Sequence, residues 1–257
     1  MQLHASYLVD KRSILGKDGS YMKVGLVQYE FKNNDIDFNF AQIRKAVSLS
    51  KGKADLLCFG ETFLQGFDSL SWDFSQDKSI GVSFDSKIIG KIKELSKENG
   101  VDLLFGYIEL DGSSLYSSCV LIEKGEVKHN YRRISKNWKE ASVIDSHYCE
   151  GTQSEEFTYK HKNMKIALCG DLWVCPEHFK TSGILIWPIY CNFSEERWLK
   201  CEQYEYAKQS LVASNDVLMV SSLTKQPLSV GGTFYFKNGK IEKAAAFNVE
   251  EILFVEL

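Results

Sequence analysis

An α/β fold, with two sheets packed face to face and covered by helices, is what this sequence predicts, and three observations predict it. Its apolar residues gather into short continuous runs, as at 54–59 and 183–189. Such runs belong to strands whose sheet is buried on both faces. Helical patterns separate many of these runs, so crossovers connect some of the strands. Asp111-Gly112 and Asn238-Gly239 are signals for tight hairpins, so other strands are joined directly. About ten strands and about four main helices fit two packed sheets better than one open sheet.

The elements follow in order. Residues 1–21 are polar and irregular, with a Gly-Lys-Asp-Gly turn at 16–19, and read as an N-terminal extension. A strand starts at Met22–Lys23 and runs to about 29. Asp35 or Asp37 caps a helix reaching to about 50, with Phe40, Ile43 and Val47 at helical spacing. The apolar run 54–59 is a short strand that stops at Gly60-Glu61-Thr62. Residues 62–82 form a long loop rich in aromatics, the kind of segment that walls a pocket. Asp85 or Ser86 caps the next helix, which Asn99-Gly100 closes. Strands at 101–110, 114–123 and 127–134 form a meander.

Residues 141–163 read as a loop ending in a short strand at 156–159. The run 166–173 begins as a strand and breaks at Cys169-Gly170-Asp171. Pro176 opens a short helix. After the strand at 183–189, Ser194 caps the longest helix, 195 to about 213, with Glu195 and Glu196 favourable to its dipole. Strands at 216–223, 233–236, 240–246 and 252–257 complete the chain. Three prolines, no low-complexity stretch and no repeat leave no linker, so 22–257 reads as a single domain.

Composition excludes several classes. A net charge of -3 with no basic stripe gives no footprint for nucleic acid. No apolar run approaches the roughly 20 residues of a membrane span, and the start lacks the apolar core of a signal peptide. The seven cysteines are odd in number, and Cys58, Cys119 and Cys169 sit in apolar runs. Free thiols in a reducing cytoplasm are the expectation. No CxxC pair or Cys/His cluster has the spacing of a metal site, which counts against a metal or redox protein. Gly231-Gly232 lacks the Lys-Ser/Thr of a phosphate loop, so nucleotide binding is not expected.

Three strand ends carry reactive side chains: Glu61, the basic segment 131–140, and the Cys169-Gly170-Asp171 turn. Taken singly, each has an ordinary reading: a solvated Glu, a snorkelling basic edge, a small buried cysteine. Together they suit acyl transfer. A thiol attacks as thiolate and needs a base. A carboxylate in a partly dry pocket takes that proton and returns it to the leaving amine. A fixed cation holds the carboxylate ionised and steadies the oxyanion. None of the five histidines stands in a Cys-His protease context.

These motifs resemble the nitrilase superfamily of carbon–nitrogen hydrolases over about residues 22–257. The opening strand resembles 23–28, the Glu motif resembles 54–63 with Gly60 where the family usually has Pro, and the nucleophile motif resembles 169–172 followed, one residue late, by Pro176-Glu177. Trp198, the 205–207 region and the late Gly231-Gly232-Thr233 and Asn238-Gly239 also match. The resemblance implies a four-layer α-β-β-α sandwich, a Glu-Lys-Cys triad, no cofactor, and dimers or larger homo-oligomers.

Carried onto this chain, Cys169 is the nucleophile and Glu61 the general base. The Gly170 backbone N–H serves the oxyanion, and Trp173 and Glu140 stand near substrate. The triad cation is open. Tyr131-Arg132-Arg133 puts Arg133 where the family has Lys, and Lys136 and Lys139 follow closely. The implied substrate is a small amide or nitrile, a linear amide first. The rival expectation is an impaired homologue that binds a metabolite or a protein partner, motivated by Arg133.

Overall fold

A computed structural model describes residues 21–257; the expected N-terminal extension lies outside them apart from Tyr21. Two mixed six-stranded sheets dominate. In chain order the elements are β1 (Lys23–Gln28), α1 (Ile36–Ser50), β2 (Leu56–Cys58), α2 (Phe74–Asp77), α3 (Lys87–Asn99), β3 (Asp102–Asp111), β4 (Ser114–Glu123), β5 (Glu126–Arg132), β6 (Phe157–Tyr159), β7 (Lys162–Ile166), α4 (Asp171–Val174), β8 (Ile184–Pro188), α5 (Glu195–Arg197), α6 (Gln203–Ser210), β9 (Asp216–Val220), β10 (Leu223–Lys225), β11 (Leu228–Val230), β12 (Phe234–Lys237), β13 (Lys240–Ala244) and β14 (Glu251–Glu256).

The first sheet has the order β14-β1-β2-β3-β4-β5, and the second β13-β12-β9-β8-β7-β6. Strands β1, β2 and β3 are parallel, as are β7, β8 and β9; the outer pairings are antiparallel.

Side-chain alternation builds the layers. Val24, Leu26, Leu56, Cys58 and Leu104 point into the space between the sheets and meet Ile166, Ile186, Leu218 and Val220. Val27, Leu57, Leu103 and Phe105 point the other way, against Ile43, Ala46 and Val47 of α1 and Ile89 and Ile92 of α3. Trp198, Tyr206 and Ala207 cover the outside of the second sheet, completing an α-β-β-α arrangement.

Helix ends follow the expected chemistry. Asp35 Oδ1 accepts from the Phe38 N–H at 2.9 Å, and Ser86 Oγ accepts from the Ile89 N–H at 3.4 Å. Gly100 closes α3 at φ +64°. Asn238 and Gly239, at φ 50° and 69°, turn β12 into β13.

The longest helix departs from expectation. Trp198–Glu202 is π-helical between α5 and α6. Trp198 and Tyr206 are both buried, and a regular helix would turn them about 80° apart. One inserted residue brings them onto the same face, with ring centroids 5.2 Å apart. The strand expected to begin at 166 and break at Cys169-Gly170-Asp171 lies earlier: β7 is Lys162–Ile166, although the Ala167 and Cys169 N–H groups still donate to β8 carbonyls at 3.0 and 2.9 Å.

Topology gathers three strand ends. Because β4 is antiparallel to both β3 and β5, β5 runs the same way as β2 and β3. Residues just past β2 and just past β5 therefore emerge at one edge of the first sheet. Those residues include Glu61 and Arg133. The Glu61 N–H donates to Ile189 O, just past β8, at 3.4 Å. The carboxyl ends of the parallel strands in both sheets thus meet at one end of the sandwich.

Candidate active site

Glu61 sits in a turn pressed onto β3. A Cβ at Gly106 would stand 2.7 Å from Glu61 Cα, so only glycine there lets the turn lie this close. The Glu61 side chain is 1% exposed. Its Oε1 accepts from Arg133 Nη1 at 2.7 Å and from Ser117 Oγ at 3.3 Å. Its Oε2 is buried without a hydrogen-bond partner. Burial raises the Glu61 pKa; the Arg133 charge and the adjacent Cys169 thiol oppose that rise.

Cys169 is held at φ +39°, a left-handed conformation that side chains other than glycine adopt at a cost. The turn is fixed on both sides. Trp187 Nε1 donates to Cys169 O at 2.9 Å, and the Asp171 N–H donates to Leu168 O at 2.9 Å. The thiol donates to Tyr190 O at 3.6 Å. Burial, with the Glu61 charge behind it, keeps the thiol pKa well above its ordinary value, and Arg133 works the other way. Burial thus favours the protonated form of both groups, and the Arg133 charge opposes it at both. The Gly170 N–H, next along the turn, meets no backbone acceptor among the described residues.

Asp171 ties the Cys169 turn to the basic segment. Its Oδ2 accepts from Tyr131 OH at 2.7 Å and from the Leu168 N–H at 2.8 Å. Its Oδ1 accepts from the Ser135 N–H at 2.9 Å. One buried carboxylate thus locks the end of β5 to the Cys169 turn.

Arg133, 2% exposed, is the cation the structure brings to Glu61 and Cys169. Besides Glu61, its Nε donates to Ser135 Oγ at 2.8 Å and its Nη2 donates to Asn137 Oδ1. Burial works against its charge, but Glu61, Cys169 and Asp171 more than offset this and hold its pKa above the ordinary value.

The other cations expected from the sequence go elsewhere. Lys139 Nζ pairs with Glu150 at 2.5 Å and donates to Tyr148 O at 2.8 Å. Lys136 is exposed. Neither is among the charges acting on Glu61 or Cys169. The reason is the end of β5 at Arg132: Arg133 turns inward directly after it, and the short 3-10 turn Lys136–Trp138 carries the lysines away.

The expected substrate contacts divide similarly. Gly170 lies against Asn137 and Arg133, and a Cβ on it would overlap both. Trp173 is 44% exposed on the turn after Cys169, edge-on to Tyr206 at 5.1 Å. Glu140 is exposed, and among the described residues it makes no hydrogen bond or ion pair to Glu61, Arg133 or Cys169. Sequence reasoning passed over Ser117, Ser135 and Asn137, whose residue types carry no signal until the fold places them beside Glu61 and Arg133.

Among the described residues, no three His, Cys, Asp or Glu side chains stand together as a metal site. No described helix is long and apolar enough to cross a membrane.

Comparison with known proteins gives this geometry a context. The family described as carbon-nitrogen hydrolase matches residues 23–181. An aliphatic nitrilase of Rhodococcus rhodochrous is 27% identical over 176 residues, 62% of this chain and 43% of that protein. An (R)-stereoselective amidase of a Pseudomonas species is 25% identical over 112 residues, 44% of this chain and 39% of that protein. The chain thus spans less than half the length of these curated relatives. The fold matches the crystal structure of an amidase from Nesterenkonia with a TM-score of 0.75 at 16% identity, covering 93% of this chain and 91% of that one. A Glu-to-Gln variant of an amidase from the same genus has acrylamide added at its active site cysteine.

Proposed function

The chain belongs to the carbon-nitrogen hydrolase family of the nitrilase superfamily, and from that premise we propose that it hydrolyses a small linear amide through a thioester on Cys169. Glu61 takes the thiol proton from its unpartnered Oε2 side as Sγ attacks the carbonyl carbon. The oxyanion forms against the Arg133 guanidinium and the Gly170 N–H. Glu61 then gives its proton to the leaving nitrogen, and ammonia departs. Water, deprotonated by Glu61, attacks the thioester and releases the acid and the thiol.

The observation that carries this reading is the buried Glu61–Arg133 pair, 2.7 Å apart, with one carboxylate oxygen unpartnered and the Cys169 thiol adjacent. A guanidinium stays protonated at working pH. Arg133 therefore contributes charge and hydrogen bonds, and Glu61 carries every proton. The amide reading is further supported by the Nesterenkonia amidase of the same fold, and the curated relatives keep a nitrile substrate as the neighbouring possibility.

The test is ammonia release from acetamide, propionamide, acrylamide and the matching nitriles, by the wild-type chain and by Cys169→Ala. The expected result is release from one or more amides, lost in Cys169→Ala. No release from any compound, or release that survives the substitution, contradicts the proposal.

A further inference from the structure

Asn137 is the one exposed residue in the group around Arg133, and its two amide atoms face different tasks. Its Oδ1 accepts from Arg133 Nη2. A guanidinium only donates, so the oxygen must face Arg133 and the NH2 group must face away. That NH2 group lies against Gly170, where a Cβ would overlap it. It donates to no acceptor among the described residues. It stands, unspent, beside the residue whose backbone N–H follows the nucleophile.

We propose that Asn137 is a catalytic residue of this site: its Nδ2–H donates to the substrate oxygen as that oxygen becomes an oxyanion, while its Oδ1 fixes Arg133. This rests on the thiol-hydrolase reading above. Three donors then converge on one position: the Asn137 amide, the Gly170 N–H and the Arg133 guanidinium. The geometry explains why Gly170 carries no side chain, since a Cβ would occupy the space between Asn137 and Arg133. It also gives the short 3-10 turn Lys136–Trp138 a purpose. The turn carries Asn137 back over the nucleophile and is anchored by buried Trp138, which packs on Trp72 and Tyr148 with ring centroids 5.9 and 6.4 Å away.

Two probes of the same thiol separate this role from simple support of Arg133. Acylation of Cys169 by 4-nitrophenyl acetate passes through a tetrahedral oxyanion. Alkylation by iodoacetamide displaces iodide and forms none. Both need Glu61 to take the thiol proton. In Asn137→Ala, acylation is expected to fall by about 10²- to 10³-fold, the cost of one oxyanion donor, while alkylation stays within about threefold of wild type. Asn137→Asp keeps an acceptor for Arg133 but loses the donor, and is expected to lose acylation to the same extent.

Equal losses with both probes would reduce Asn137 to a positioning residue and overturn the proposal. So would undiminished acylation in either variant. A wild-type Cys169 that reacts with neither probe faster than exposed Cys201 is a different failure, because it removes the hydrolase reading itself.

Discussion

Glu61→Gln is expected to slow amide hydrolysis by about 10²- to 10⁴-fold, the range of a positioned general base. Gln keeps the shape of the side chain and an oxygen to accept from Arg133 and Ser117, so the fold is retained. What it removes is the carboxylate that lies beside the thiol. Burial keeps the thiol pKa well above its ordinary value, so little thiolate exists without that base. The same logic fixes the wild-type pH profile. Glu61 works as the carboxylate, and burial raises its pKa. Activity must therefore fall as pH drops through a value above the ordinary Glu pKa of about 4.3. A variant that hydrolyses amides at the wild-type rate would remove Glu61 from the chemistry.

Arg133→Met is expected to cost both stability and activity. Methionine fills similar space, but it leaves Glu61 buried with no opposing charge. Removing one partner of such a pair costs about 3–5 kcal/mol, to be read as a lowered urea midpoint. Glu61 answers by taking a proton at higher pH, which also disables it as a base near neutrality. Arg133→Lys keeps the charge and loses the hydrogen bonds to Ser135 and Asn137. It should retain more stability than Met and measurable hydrolysis, since the family uses Lys at the matching place. A Met variant with an unchanged urea midpoint and undiminished hydrolysis would show that the pair at 2.7 Å has no such role.

Much of the fold was legible because its signals are local. Asp35, Ser86 and Gly100 act on their own helix ends, and Asn238-Gly239 closes its own hairpin. Glu61 and Cys169 were legible as polar interruptions at the ends of apolar runs. The cation was not. Arg132 and Arg133 are adjacent, and one residue of register separates their fates. Arg132 donates to Glu109 at 2.6 Å, whereas Arg133 donates to Glu61 at 2.7 Å.

Which arginine turns inward depends on where β5 leaves its partner strand, and composition does not encode that. Lys139 looked equally suitable until the fold supplied Glu150 as its partner. Asn137 and Ser117 were invisible for a similar reason. Ser117 lies 56 positions from Glu61, and Asn137, only four positions from Arg133, gains its place beside Gly170 from the packing of the turn it sits on. The π-helical turn at Trp198–Glu202 left only a faint trace, the spacing of Trp198 and Tyr206.

The most direct test of the central claim, that Glu61 activates Cys169, is mapped alkylation by iodoacetamide at neutral pH, read separately at each of the seven cysteines in wild type and Glu61→Gln. The account predicts that Cys169 is labelled faster than exposed Cys201 in the wild-type chain and slower than it in Glu61→Gln, with Cys201 unchanged between the two. Labelling of Cys169 no faster than Cys201 in wild type, or the same Cys169 rate in both proteins, would contradict it.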